Sequence, residues 1–141
     1  MLISLVELSC PSGSEQYKGN CYRIIDNQNV YWSGAYHICK DYYDSGLAII
    51  RSKEDMEFIE NLVRSSGKSI WIALKTNGSG LEWVTKDEFN HIPHTYIYSR
   101  CIIARPVENT IYWELVPCQL STTAYPLCQE GIFIKAFNKI E

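Results

Sequence analysis

Six cysteines constrain this chain more than any other feature of its sequence. They are Cys10, Cys21, Cys39, Cys101, Cys118 and Cys128. No two of them form the C-x-x-C pair that binds zinc or carries out thioredoxin-type redox chemistry. An even number of widely spaced cysteines instead favours three disulfides, and therefore an oxidising compartment outside the cell or in the secretory pathway. Spacing alone allows 15 pairings and does not choose among them.

Length and composition describe an ordinary globular chain. With 141 residues it is long enough for one domain with a substantial core. Hydrophobic residues make up 46% of the chain and charged residues 21%, which excludes a disordered or collagen-like protein. The net charge of −3 gives no reason to expect nucleic acid or an anionic membrane surface as a partner.

The first residues do not fit the pattern of a membrane span or of a signal peptide. The apolar run at residues 2–8 is far shorter than the roughly 20 residues that a bilayer requires. A signal peptide would need a basic start, a longer apolar run and a cleavage site. We expect an extracellular piece whose membrane anchor or signal lies outside this chain. The sequon at Asn77 predicts a glycosylated surface loop, in agreement with secretion.

Apolar periodicity predicts two helices. In residues 31–40, spacings of three and four place Trp32, Ala35, Tyr36 and Cys39 on one face. A second helix is predicted to begin at Ser52, where a capping box uses Asp55 as its acid. It continues through Met56, Ile59, Leu62 and Val63 to Arg64, and Gly67 ends it.

Strand patterns surround these two helices. They are expected at residues 3–8, 21–25, 70–74, 81–84, 101–104, 111–116 and 125–128. Residues 85–100 have little periodicity and predict a long loop of the kind that often binds ligands. A strand, two helices and then several strands indicate an α+β domain.

Ordered landmarks along the chain match one known family. They are Cys10-Pro11, Cys21-Tyr22, Trp32-x-x-Ala35-x-x-x-Cys39, Leu47-Ala48-x-Ile50-x-Ser52-x-x-Asp55, Trp71-Ile72-Ala73-Leu74, Trp83, Cys101, Trp113, Cys118 and Tyr125-Pro126-Leu127-Cys128-Gln129. This series resembles the C-type lectin-like domain family. The resemblance implies two helices packed on antiparallel sheets with a long loop region. It divides the chain into an N-terminal strand or stalk remnant (residues 1–9), the domain (10–129) and a tail (130–141).

The resemblance also implies a disulfide pairing. The expected bridges are Cys10–Cys21, Cys39–Cys128 and Cys101–Cys118. The first would pin an N-terminal hairpin, the second would tie the first helix to the last strand, and the third would brace the region where ligands bind in this family. We expect ligand contacts there from His94, Tyr96, Tyr98, Arg100, Arg105, Glu108 and Glu114.

Calcium is not expected as a cofactor. Sugar-binding members of the family supply Ca²⁺ with oxygen ligands from an E-P-N or Q-P-D motif and from a W-N-D motif, and this chain has neither. Around Pro93 it offers Ile92 and His94, and after Trp113 it offers Glu114 and then Leu115, which has no side-chain oxygen. Members with such losses are mostly protein binders, among them natural-killer-cell receptors, their ligands and viral homologues.

We therefore expect an extracellular recognition domain that binds a cell-surface protein without calcium. It would act as an immune-type receptor, a receptor ligand or a viral decoy, on a plasma membrane, on a virion envelope or in secreted form. The alternative is a calcium-dependent or degenerate carbohydrate-binding lectin. Pairing of residues 2–8 at an exposed sheet edge would give a homodimer. An enzyme is not expected, because His91-x-x-His94 lacks a helical metal-binding context and no nucleophile motif is present.

Overall fold

The computed structural model describes residues 5–43, 45–76, 81–83, 100–118, 122–131 and 133–137. Within these ranges the chain forms two helices and ten strands, which confirms the predicted α+β class. The helices are α1 (Trp32–Tyr43) and α2 (Lys53–Ser66). The strands are β1 (Leu5–Ser9), β2 (Glu15–Tyr17), β3 (Asn20–Ile24), β4 (Gly46–Leu47), β5 (Ile70–Thr76), β6 (Leu81–Trp83), β7 (Arg100–Val107), β8 (Thr110–Pro117), β9 (Tyr125–Gly131) and β10 (Phe133–Phe137).

Helix α1 buries the face that its sequence spacing predicts. The fully buried residues of that face are Trp32, Ala35, Tyr36 and Cys39. The indole N–H of Trp32 donates to the carbonyl of Ile72 at 2.9 Å, so this buried donor has a partner. Because Ile72 belongs to β5, the hydrogen bond fixes α1 against the centre of the sheet.

Helix α2 begins and ends at the predicted residues. The hydroxyl of Ser52 accepts a hydrogen bond from the backbone N–H of Asp55 at 3.1 Å. The Asp55 carboxylate accepts a hydrogen bond from the backbone N–H of Arg51 at 2.9 Å, one residue before the N–H of Ser52 that donates in a capping box. At the other end, Gly67 has a φ of 69° and donates its N–H to the carbonyl of Val63 at 2.8 Å.

Eight strands form one mixed sheet with β5 and β9 at its centre. The strand order is β2-β3-β9-β5-β7-β8, with β4 also paired to β9 and β6 to β5. Strands β5 and β9 run parallel, with Ile70 opposite Tyr125 and Trp71 opposite Pro126. The other pairings among the described strands of this sheet are antiparallel. The predicted antiparallel arrangement therefore holds except at this central junction.

Each face of the sheet is covered by a different helix. Trp71 and Ile103 pack with α1 in one core, whereas Ile70 and Ile102 pack with α2 in the other. Successive residues of a strand point to opposite faces, so adjacent residues enter different cores. Burial on both sides explains why runs such as Ile70–Ala73 are continuously apolar rather than alternating.

The three disulfides have the pairing that the family resemblance implies. Cys10–Cys21, Cys39–Cys128 and Cys101–Cys118 have Cα–Cα distances of 5.5, 5.4 and 5.0 Å, all ordinary for a disulfide. The second bridge joins α1 to β9 across 89 positions. The third joins the start of β7 to the residue that follows β8, and so closes the β7–β8 hairpin at its open end.

The two ends of the chain pair with each other. Strand β1 runs antiparallel to β10, with Leu5 opposite Phe137 and Ser9 opposite Phe133. The sequence predicts a first strand, but it gives no element for the segment that contains β10. One edge of β1 is thus occupied within the same chain, so a second copy would have to pair at its other edge. Over the described ranges, no helix is long and apolar enough to cross a membrane.

Candidate ligand-binding face

The β7–β8 hairpin carries the predicted ligand contacts that the structure describes. These are Arg100, Arg105, Glu108 and Glu114. The predicted contacts His94, Tyr96 and Tyr98 and the predicted glycosylation site Asn77 lie outside the described residues. The hairpin is therefore the part of the predicted site whose geometry can be stated.

Arg105 and Glu114 form an ion pair across the two strands. Arg105 lies opposite Tyr112 and Glu114 lies opposite Ile103, so the charged residues are diagonal neighbours on one face. Nη2 of Arg105 donates to Oε2 of Glu114. This hydrogen bond, followed by the charge of Glu114, holds the pKa of Arg105 above its ordinary value. The Glu114 carboxylate is thus already engaged with a cation of the same protein.

Two exposed apolar side chains lie beside this ion pair. Tyr112 is 47% exposed and Val107 is 39% exposed. Strand alternation places both on the same side of the hairpin as Arg105 and Glu114. We call these four residues the Arg105 face. The sequence prediction omitted Tyr112 and Val107, although each lies two positions from a predicted contact on the same strand.

Arg100 does not belong to the Arg105 face. It lies five positions before Arg105 on one strand, and an odd separation places two residues on opposite sides of a sheet. Arg100 lies opposite Pro117, at the end of the hairpin that the Cys101–Cys118 bridge closes. The structure thus separates the two arginines that the sequence prediction grouped together.

Glu108 occupies the tip of the hairpin. With Asn109 it forms the two-residue turn between Val107 and Thr110. The φ of Glu108 is 57°, in the left-handed region that a side chain with a β-carbon disfavours. Two-residue hairpin turns therefore commonly place glycine or asparagine at such a position. The exposed glutamate here is held in a conformation that its residue type does not prefer.

Helix α2 anchors the hairpin from the side opposite the Arg105 face. The indole N–H of Trp113 donates to Oε2 of Glu60 at 2.7 Å. Arg64, one helical turn further on, has Nη2 3.9 Å from the other oxygen of Glu60 and donates its Nε–H to the carbonyl of Asn109 at 2.9 Å. This role of Glu60 and Arg64 was not predicted. Their four-residue spacing is visible in the sequence, but their contacts on the hairpin are not.

Side chains that could ligate a metal ion are not grouped together among the described residues. Those residues contain no group of three His, Cys, Asp or Glu side chains that could hold a metal ion. At the position of the family's calcium-binding strand, Glu114 is paired with Arg105, and Leu115 has no side-chain oxygen. Ca²⁺ needs six to eight oxygen ligands, and this strand supplies at most one carboxylate toward that number. The other expected ligand positions, around Pro93, are outside the described residues.

Comparison with known proteins gives a consistent assignment. Lithostathine from Bos taurus is 30% identical over 128 residues, and the match covers 84% of this chain and 62% of lithostathine. The C-type lectin domain of murine dendritic cell inhibitory receptor 2, solved in complex with N-glycan, has a TM-score of 0.68 at 20% identity, covering 87% of this chain and 99% of that one. EMS16, described as an antagonist of collagen receptor integrin α2β1, has a TM-score of 0.63 at 23% identity, covering 85% and 98%. The family model described as the lectin C-type domain matches residues 28–129, and the chain therefore belongs to the C-type lectin domain family.

Proposed function

We propose that this domain binds a protein ligand outside the cell, without calcium, through the Arg105 face. Domains of the C-type lectin family typically bind carbohydrate or protein ligands extracellularly. The observation that favours a protein ligand over calcium-dependent carbohydrate binding is the ion pair between Arg105 and Glu114. It occupies the one carboxylate that this strand offers to a calcium ion.

Competition between the two cations argues against calcium at this face. To ligate Ca²⁺, Glu114 would have to use its other oxygen, Oε1, or release the guanidinium of Arg105, and in either case the guanidinium would lie near a divalent cation. The residue that follows, Leu115, contributes no oxygen in compensation. Like charges at close range repel, so occupation by calcium would be opposed both by ligand number and by charge.

The composition of the Arg105 face suits a protein partner. Tyrosine and arginine are enriched among the residues that dominate the free energy of protein binding. Here an exposed Tyr112 lies directly opposite Arg105, and Val107 adds apolar surface beside them. The paired carboxylate of Glu114 keeps the arginine side chain in place before a ligand arrives, which reduces the entropy lost on binding.

Carbohydrate binding is the second candidate function. The murine receptor domain of the same fold was solved with an N-glycan, whereas EMS16 is described as an antagonist of an integrin. The fold is therefore compatible with both ligand classes. Within the protein-binding class, an immune-type receptor, a receptor ligand or a viral decoy is our proposal for the biological role, and the three disulfides fit the extracellular setting that each would need.

The decisive experiment presents the tagged domain to an array of purified cell-surface ectodomains and to a glycan array. Each array is tested in CaCl₂ and in EDTA. Binding to an ectodomain with equal strength in both buffers, weakened by Tyr112→Ala and by Arg105→Ala, is the expected result. Lys53→Ala removes an exposed cation from α2, away from the hairpin, and serves as the matched control.

Two results would contradict the proposal. Glycan signals that disappear in EDTA would establish calcium-dependent sugar binding instead. Ectodomain binding that survives EDTA but is equal in the wild type, Tyr112→Ala and Arg105→Ala would move the binding site away from the Arg105 face.

A further inference from the structure

A small cavity lies at the opposite end of α2 from the hairpin turn. Its volume is about 280 Å³, and its lining residues are Lys18, Asn20, Tyr22, Arg51, Ser52 and Asp55. The turn between β2 and β3 and strand β3 supply the first three, and the start of α2 supplies the others. The contacts of α2 with the hairpin turn come instead from Arg64, near the helix C-terminus. The cavity is therefore separate from the Arg105 face.

The one carboxylate in the cavity is already satisfied by the protein. Oδ2 of Asp55 accepts the backbone N–H of Arg51 at 2.9 Å, and Oδ1 lies 3.8 Å from Nζ of Lys18. The backbone hydrogen bond from Arg51, with smaller contributions from the Ser52 hydroxyl and from the charges of Lys18 and Arg51, holds the pKa of Asp55 below its ordinary value. Asp55 is thus a fixed anion with partners of its own.

A buried phenol in the cavity lacks such a partner. Tyr22 is 3% exposed, and its ring packs edge-on against Phe58 with centroids 5.0 Å apart. Its hydroxyl makes no hydrogen bond to any residue that the structure describes. Burial, followed by the charge of Asp55, raises the pKa of this hydroxyl, so it keeps its proton and remains a donor. The ring is buried, but the hydroxyl oxygen is open to the cavity, where it can donate to a ligand or to a water molecule.

Arg51 adds a second cation at the same place. Its side chain is exposed, and within the described part of the chain its guanidinium forms no hydrogen bond or ion pair. Together with the ammonium of Lys18 it leaves the cavity one positive charge in excess over Asp55. A guanidinium presents its donors in a fork that matches two oxygens of one anion.

We propose that this cavity binds the oxyanion group, sulfate or carboxylate, of a small ligand. The guanidinium of Arg51 would hold two of its oxygens, Lys18 would add charge, and the Tyr22 hydroxyl would donate from the buried side. The volume lies just below the usual range of small-molecule sites, which suits one acidic sugar unit or a free inorganic anion. An acidic sugar and a free inorganic anion both present an oxyanion, and the experiment distinguishes the two ligands.

The test is a titration of the full chain, followed by two-dimensional NMR at constant ionic strength. The probes are sodium sulfate, sodium glucuronate and neutral glucose. We expect saturable shifts of the backbone amides of Asn20, Ser52 and Asp55 with the two anions and none with glucose. Arg51→Ala and Tyr22→Phe should each raise the dissociation constant about tenfold, as loss of a charge-assisted hydrogen bond commonly does.

Two controls keep the test interpretable. Arg105→Ala removes an exposed cation on the remote hairpin and should leave the titration unchanged. Tyr22→Phe removes only one oxygen, and circular dichroism checks that this variant keeps its fold.

Tighter binding of glucuronate than of sulfate would identify an acidic sugar as the ligand, and equal or weaker binding would identify a free anion. Shifts that do not saturate, or that are equal in wild type, Arg51→Ala and Tyr22→Phe, would overturn the proposal.

Discussion

The indole N–H of Trp113 donates to the carboxylate of Glu60 at 2.7 Å, and this contact joins the middle of α2 to strand β8. Trp113 alternates along β8 with Tyr112 and Glu114, which lie on the other side of the strand. One side of the strand is therefore fixed to the helix while the other carries the Arg105 face. The contact that fixes this strand thus lies on the side opposite the Arg105 face.

A double-mutant cycle should detect this coupling. We expect Glu60→Gln and Trp113→Phe each to lower the free energy of unfolding by about 1–2 kcal/mol, because each leaves the other partner with a weakened or missing hydrogen bond. The double variant should be less destabilised than the sum of the single ones by about 1 kcal/mol. Urea unfolding, followed by backbone circular dichroism because one variant lacks a tryptophan, gives the free energy of unfolding of all four proteins. Strict additivity would show that the two side chains do not interact in solution.

Replacing the hairpin-tip glutamate should stabilise the protein. Glu108 has a φ of 57°, a conformation that costs a residue with a β-carbon about 1–2 kcal/mol. Glu108→Gly should remove that cost but gain entropy in the unfolded chain, for a net stabilisation of about 0.5–1 kcal/mol. Glu108→Ala removes the same carboxylate but keeps the β-carbon, and it should not stabilise. An equal rise in melting temperature for both variants would attribute the effect to charge instead.

Much of the fold follows from local pattern. Both helices were predicted because their apolar spacing and the cap at Ser52 are local signals. Strands β2, β4 and β10 were not predicted. Strand β4 has only two residues, Gly46 and Leu47, and exists because it pairs with β9 more than 80 positions away. Strand β10 likewise depends on β1 at the far end of the chain, and such distant pairing leaves no periodic trace in the sequence.

The arrangement of the candidate site residues was not predicted from the sequence, and their role as ligand contacts stays a prediction. Arg105 and Glu114 were both expected to contact ligand, but not to pair with each other. The predicted strand ended at Ala104, whereas β7 extends to Val107 and begins at Arg100. Once that length is known, alternation separates Arg100 from Arg105. The error was therefore one of strand ends, which are set by pairing with β8 rather than by local propensity.

The disulfides should differ in their effect on stability. Cys39–Cys128 closes 89 positions and Cys10–Cys21 closes 11. In the chain-entropy model, the longer loop should contribute about 2 kcal/mol more to the free energy of unfolding. Paired replacement of each bridge by alanine, followed by urea unfolding, measures the difference. Equal losses from the two replacements would mean that residual structure in the unfolded chain, rather than loop length, determines the effect.

The start of α2 should make stability depend on acid pH. The pKa of Asp55 is lowered from 3.8 in the folded state, chiefly by the hydrogen bond from Arg51. A lowered folded-state pKa means that the ionised carboxylate stabilises the fold above pH 3.8, and that this contribution is lost as the pH falls through the folded-state value. Asp55→Asn should therefore be less stable than wild type at pH 7, and the difference should shrink at pH 3. An equal difference at both pH values would contradict this assignment.

The two arginines of the hairpin should respond differently to substitution. Arg105 lies on the same face as the exposed Tyr112, whereas Arg100 lies on the other side of β7 beside the Cys101–Cys118 bridge. If the ligand docks on the Arg105 face, Arg105→Ala should weaken binding by more than about 1 kcal/mol, as truncation of an interface arginine commonly does. Arg100→Ala should leave the affinity within about twofold, because it removes an equal charge from outside the contact. Surface plasmon resonance with the ectodomain found in the array screen measures the affinity of both variants.

Equal weakening by the two variants would indicate long-range charge attraction rather than docking on one face. In that case 0.5 M NaCl should abolish both effects, because salt at that concentration screens charges separated by more than about 5 Å.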